Sequence, residues 1–232
     1  MLEQLKERVC EANLRLVREG LVLLTWGNVS AIDREEGLIV IKPSGVPYGE
    51  MTPETMVVVS LDSGKTVAGT LNPSSDTPTH RELYRAFPAI GGIAHSHSLY
   101  ATVWAQAKRE IPPYGTTHAD HFFGTIPCTR DLRNAEIASD YELNTGKVIV
   151  ERYRELDPLS VPGVLVAGHG PFAWGDTVEH AVENAIVLER VARMASETVL
   201  LNRSVKPLKK ALLEKHFHRK HGKYATYGQR KK

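Results

Sequence analysis

Four short apolar runs, each closed by turn-forming residues, constrain this sequence more than any other feature. Leu38–Ile41 is a buried strand closed by Lys42-Pro43-Ser44-Gly45, and Met56–Leu61 is a β-branched strand followed by Asp62-Ser63-Gly64. Gly91–His97 reads as a third strand, and Val164–Ala167 as a fourth ending at Gly168-His169-Gly170. Helices bracket them. Leu2, Leu5, Val9, Ala12 and Leu16 recur at steps of three and four, one face of an amphipathic helix that Gly20 is placed to end. Val178, Ala181, Val182, Ala185, Ile186 and Val191 mark a long helix after the turn Gly175-Asp176. The turn-rich Asn72–Pro78 precedes a helix capped at Thr79 and running through Arg85, whereas Val148–Arg154 fits a helix or a strand equally. Strands and helices with no repeat or linker between them imply one α/β domain.

At 232 residues the chain is long enough to bury a core without staples. Two cysteines, Cys10 and Cys128, make no disulfide framework and no thiolate metal site, which suits a reducing cytoplasm. The first residues carry mixed charges unlike a secretory leader, and no apolar run approaches the roughly 20 residues of a membrane span. Charge is uneven. Residues 203–232 hold eleven Lys and Arg against the single acid Glu214, so the preceding residues carry 18 bases and 26 acids. A basic tail can bind nucleic acid, but no aromatic platform or zinc-finger spacing accompanies this one. A solvated helix, or a cationic flap over an anionic substrate, is the expectation instead.

His95 and His97 stand two apart. On one strand both imidazoles would point the same way, as two ligands of one metal would, although two surface histidines share that spacing. The small, apolar Gly91–Ala94 argues for burial, where unpaired histidines are costly. His169, between two glycines at the end of an apolar strand, can supply a third nitrogen. Three nitrogens with an open position describe a catalytic metal rather than a structural one. Asp76 is either a fourth ligand or base, or a plain N-cap of the helix near Thr79. Gly27-Asn28, Ser44-Gly45 and Ser74-Ser75 are tight turns with backbone N–H groups, and two add hydroxyls, the ingredients of an anion nest. Lys42 adds a nearby charge. In Thr116–His121, Asp120 precedes Phe122-Phe123 and is either a partly buried carboxyl with a raised pKa that shuttles protons or an Asp hydrogen-bonded within its loop. His118 and His121 read as structural partners. His216, Tyr224 and Tyr227 stand in the basic tail, where a tyrosine is either an acid or base with a pKa lowered by nearby cations or, by default, a tail residue without a role.

These segments together resemble the class II aldolase family, and within it the sugar-phosphate 4-epimerases. The likeness is carried by Leu24–Ala31, Ile41–Gly45, Pro73–His80, Gly91–His97, Gly115–Asp120, Gly124–Arg130, His169–Gly175 and Tyr227–Gln229. It implies a three-layer α/β/α sandwich around a mainly antiparallel sheet, residues 1–232 forming a single domain with a basic helix or tail from about residue 203. It implies Zn2+, or Mn2+ or Co2+ in its place, on His95, His97 and His169 with Asp76 beside it. Substrate phosphate falls to Gly27, Asn28, Ser44, Gly45, Ser74 and Ser75, with Lys42, Thr116 and His216 in support. Asp120 and Tyr227 become proton-transfer groups on opposite sides of the substrate, Tyr227 entering from a neighbouring subunit of a homotetramer. The implied reaction interconverts L-ribulose 5-phosphate and D-xylulose 5-phosphate, a phosphorylated ketopentose pair used in arabinose and ascorbate catabolism. No nucleic-acid or membrane partner is implied. The rival within the family is an aldolase acting on L-fuculose or L-rhamnulose phosphate, against which Asp76 counts, since the fuculose enzyme has Glu there. Ser96 between the histidines, Ala167-Gly168 before His169, and Arg230-Lys231-Lys232 depart from the family pattern. The second departure removes polar groups from the shell around His169.

Overall fold

A computed structural model describes residues 2–221 and 225–228. Seven strands form one sheet: β1 (Asn28–Asp33), β2 (Leu38–Ile41), β3 (Val57–Ser60), β4 (Thr66–Ala68), β5 (Gly92–His95), β6 (Gly163–Leu165) and β7 (Pro171–Gly175). Their order is β4-β3-β2-β1-β5-β7-β6, and every neighbouring pair is antiparallel. The sheet direction implied by the resemblance is therefore borne out.

Alternation along these strands builds two cores. Ile39, Ile41, Val57, Val59, Ile93, Phe172 and Trp174 enter one. Val29, Ala31, Val40, Val58, Ala94 and Ala173 enter the other. A sheet buried on both faces needs apolar residues at nearly every position, which is why the strands read as continuous runs. Each fully buried aliphatic or aromatic side chain contributes about 1.5–3 kcal/mol relative to exposure. The first face is covered by α2 (Thr77–Ala86), α3 (Leu99–Gln106) and α6 (Tyr141–Arg152), through Leu83, Tyr84, Ala101, Trp104 and Ile149. The second is covered by α1 (Leu2–Arg18) and the first half of α7 (Val178–Leu201), whose later residues Leu188 and Val191 reach the other core. Buried Asn13 ties α1 to the sheet, donating to the Val29 carbonyl and accepting from the Val29 amide. Shorter helices α4 (Thr116–Ala119) and α5 (Asn134–Ala138) complete the middle of the chain, and α8 (Lys210–Lys220) lies in its basic tail.

Three readings of the sequence change. The strand before the histidine pair ends at His95, so His97 lies beyond it. Residues 148–152 are helical, at the end of α6. Pro171–Gly175, assigned no element from the sequence, is a strand inside the sheet; its proline takes the first position, where a missing N–H costs least. Cys10 and Cys128 are both free and buried. No described helix is long and apolar enough to cross a membrane.

Candidate active site

His95 is the last residue of β5 and His97 follows it by two, while His169 sits in the turn between β6 and β7. Because β7 pairs with β5, that turn is folded back beside the end of β5. The three histidines each place a ring nitrogen within 4.8 Å of the others. Two glycines allow this closeness. At Gly27, φ is +79° and a Cβ would lie 2.7 Å from the His95 carbonyl; at Gly170 a Cβ would lie 2.9 Å from the Ser96 carbonyl.

Ring protonation follows from the partners. The His95 Nδ1–H donates to the Pro171 carbonyl at 2.9 Å, which leaves its Nε2 with a free lone pair. That Nε2 is 3.2 Å from Nε2 of His97. Tetrahedral nitrogens around one ion at roughly 2.0–2.1 Å would be about 3.3 Å apart. Burial, then neighbouring His95, lowers the pKa of His97. Burial with His95 and His97 brings His169 down to about 4, against the pull of Asp76. Clustered imidazoles, each placing a ring nitrogen toward the others, are a donor set that fits a divalent cation.

Asp76 occupies the N-cap position of α2, but its side chain makes no capping bond. It accepts instead from the Asn28 amide at 2.6 Å, and its Oδ2 lies 3.9 Å from His95 Nε2. Burial pushes this carboxyl up, yet His95, His80 and the Asn28 bond together hold it below its ordinary value. An ionised carboxylate therefore faces the histidines. Asp76 thus holds the N-cap position expected of it while its side chain lines the cleft beside the histidines.

The histidines open onto a cleft of about 450 Å³ that is also lined by Gly27, Asn28, Ser44, Gly45, Ser74, Ser75 and Asp76. All three candidate anion turns thus meet at one place. Asn28 Oδ1 is buried without a hydrogen-bond partner among the described residues. Lys42 lines the cleft too, but buried Nζ donates to the carbonyls of Pro43 and Val46 at 3.2 Å each and lies 5.0 Å from the Tyr48 ring centroid. It braces the Ser44-Gly45 turn rather than projecting a free charge. Sequence reasoning missed Tyr141 and Glu142, which line the cleft from the first turn of α6; nothing in their local pattern marks them.

Asp120 and Tyr227 are elsewhere. Asp120 accepts from His216 at 3.0 Å and from Arg219 at 2.9 Å, with Lys220 at 3.6 Å. Partial burial raises its pKa, but Arg219, His216 and Lys220 outweigh that and leave it lowered. The expected raised value is corrected: α8 supplies cations that sequence adjacency did not reveal. As a base, Asp120 is weaker than a free carboxylate. Exposed Tyr227 stacks beneath Arg219 and Lys220, 5.6 and 4.6 Å from its ring centroid. Within this chain the two groups therefore meet at Arg219 and Lys220 of α8 instead of lining the cleft. Thr116 opens α4 next to that patch, and His118 is structural, bonded to the Gly124 carbonyl at 2.7 Å. Tyr224, Gln229 and Arg230-Lys231-Lys232 lie outside the described residues. A larger cavity of about 570 Å³ lies between α8 and the start of α7, lined by His121, His180 and His218, and contains none of the anion turns.

Residues 7–196 match the family model described as Class II Aldolase and Adducin N-terminal domain. The chain belongs to the class II aldolase family. Among its relatives it is 56% identical over 229 residues to the L-ribulose-5-phosphate 4-epimerase UlaF of Salmonella paratyphi B, covering 99% of this chain and all of that protein. The UlaF protein of Salmonella typhi matches to the same extent. An L-fuculose 1-phosphate aldolase structure shares the class II aldolase fold with a TM-score of 0.78 at 24% identity, over 92% of this chain and 94% of that one.

Proposed function

We propose that this chain is a metal-dependent L-ribulose-5-phosphate 4-epimerase, interconverting L-ribulose 5-phosphate and D-xylulose 5-phosphate. The observation that carries this reading is 56% identity to UlaF along essentially the whole of both chains. The cleft supports it with three imidazoles, an ionised Asp76 and three anion-ready turns at one place.

C4 of the sugar is a secondary alcohol without an acidic C–H, so its inversion calls for breaking the C3–C4 bond. A divalent ion, zinc in our reading, would be held by His95, His97 and His169 with Asp76 beside them, and would supply Lewis acidity. A base takes the C4 hydroxyl proton, the C3–C4 bonding pair stays on C3, and glycolaldehyde phosphate separates from a three-carbon enediolate. Gly27, Asn28, Ser44, Gly45, Ser74 and Ser75 hold the phosphate while the aldehyde turns its other face. C3 then re-attacks, and a proton returns to the C4 oxygen. Asp120 and Tyr227 exchange these protons. Since both sit on the α8 patch, we propose that a neighbouring subunit of a homotetramer brings them to the cleft together. Thr116 and His216 support that patch, and Lys42 shapes the phosphate turn.

Incubating the metal-loaded protein with L-ribulose 5-phosphate should yield D-xylulose 5-phosphate without free glycolaldehyde phosphate. Accumulation of the free aldehyde, or faster cleavage of L-fuculose 1-phosphate, would establish the sister aldolase reaction instead.

A further inference from the structure

The turn that carries His169 offers no polar side chain of its own, since Ala167, Gly168 and Gly170 surround it. Its outer ring nitrogen nevertheless has a partner. The Tyr141 hydroxyl lies 3.2 Å from His169 Nδ1, and the two rings are nearly parallel at 27°, with centroids 6.2 Å apart. Tyr141 is the first residue of α6, where its carbonyl accepts from the Thr145 hydroxyl at 2.9 Å. That helix packs on α2, the helix that Asp76 begins. One rigid layer therefore carries Asp76 and the group that meets His169.

A phenol can donate or accept, and the two directions have opposite consequences. If Tyr141 donates to Nδ1, the proton of neutral His169 lies on Nε2 and blocks the one ring nitrogen left to join His95 and His97 around an ion. If Tyr141 accepts, the proton is on Nδ1 and the Nε2 lone pair is free. His95 uses the second arrangement, because the Pro171 carbonyl can only accept. We infer that Tyr141 is a positioning residue: its hydroxyl accepts from His169 Nδ1–H and fixes that ring in the metal-binding tautomer, as the Pro171 carbonyl does for His95. This rests on the metal reading of the histidine cluster. It also leaves the phenolic hydrogen of Tyr141 directed away from His169, as a donor at the wall of the cleft.

The test uses Co2+ as the probe on the full chain. Tyr141→Phe keeps the ring and should leave the melting temperature of the metal-free protein unchanged. It should weaken Co2+ binding, measured by chelator competition, by about 10-fold or more and shift the visible cobalt absorption. An unchanged dissociation constant and spectrum would overturn the inference. Neutron diffraction on wild-type crystals gives an independent answer, with deuterium expected on Nδ1 of His169; deuterium on Nε2 would overturn it. Failure of the metal reading itself looks different. In that case wild-type protein binds no Co2+, or His97→Asn binds it as tightly as wild type, whereas the tautomer of His169 is still read from the neutron map.

Discussion

At the scale of single residues, the cleft depends on close approaches that tolerate little change. Gly27 combines a left-handed backbone with a position against the His95 carbonyl. Gly27→Ala should therefore cost about 1–2 kcal/mol of stability from the backbone alone, read by urea denaturation, and more where β5 must shift. It should also weaken metal binding, because the residue displaced is a proposed ligand. Asp120 yields a prediction with a pH signature. Its folded pKa lies below the ordinary carboxylate value through Arg219, His216 and Lys220. A group depressed in this way stabilises the fold above its unfolded pKa, and the gain is lost as pH falls through the folded value. Asp120→Asn should thus be less stable than wild type at neutral pH, and the gap should close on acidification below the usual carboxylate range. A gap that stays constant down to pH 2 would contradict the ion-pair account. The residues themselves were legible in the sequence to differing degrees. His95, His97 and His169 announce themselves by type and by flanking glycines, whereas Tyr141 looks like any helix-start tyrosine. Asp120 was found, but its surroundings were not, because its cations arrive about a hundred residues later in the chain.

At the scale of elements, one helix start is held from outside itself. Ser98 precedes α3 but makes no side-chain cap. Glu189, from the middle of α7, accepts instead from the amides of Tyr100 and Ala101, both at 2.9 Å. A carboxylate at a helix N-terminus satisfies otherwise orphaned donors and meets the positive end of the dipole. Glu189→Ala should cost about 1–2 kcal/mol in chemical denaturation, with faster amide exchange at Tyr100 and Ala101. Because α3 begins just after His97, the same variant should loosen the segment that carries His97. This cap was invisible in the sequence, where a serine before an apolar run looks like the cap and Glu189 like a solvated helix residue. Strands fared better. Leu38–Ile41 and the run after Met56 are apolar over their length because both faces are covered, and that survives without knowledge of their partners. Pro171–Gly175 was missed because its proline and flanking glycines mimic a turn, although it lies between β5 and β6 in the sheet. Strand direction came only from family resemblance, since residue alternation carries no information about which way a neighbour runs.

At the scale of the whole molecule, the cleft and the α8 patch stand apart within one subunit, and the proposed reaction needs both. Mixing two inactive variants tests whether they meet between subunits. Equal amounts of His97→Asn and Tyr227→Phe, unfolded and reassembled together, should recover about a quarter of wild-type activity if each site draws on two chains. No recovery would place the full site within one chain. The order of the sheet has a further consequence. Cleft residues are drawn from positions 25 to 169, on β1, after β2, before α2, after β5, at the start of α6 and between β6 and β7. No local fragment contains the site, so a chain with β7 unpaired from β5 would have no place for the ion. Metal loading should then be coupled to global unfolding rather than to a local opening. At a free metal concentration about 100-fold above the dissociation constant, the gain would be about 2.7 kcal/mol. Calorimetry should show this as one transition moving upward as metal is added, with release of the ion and loss of the sheet occurring as a single cooperative event.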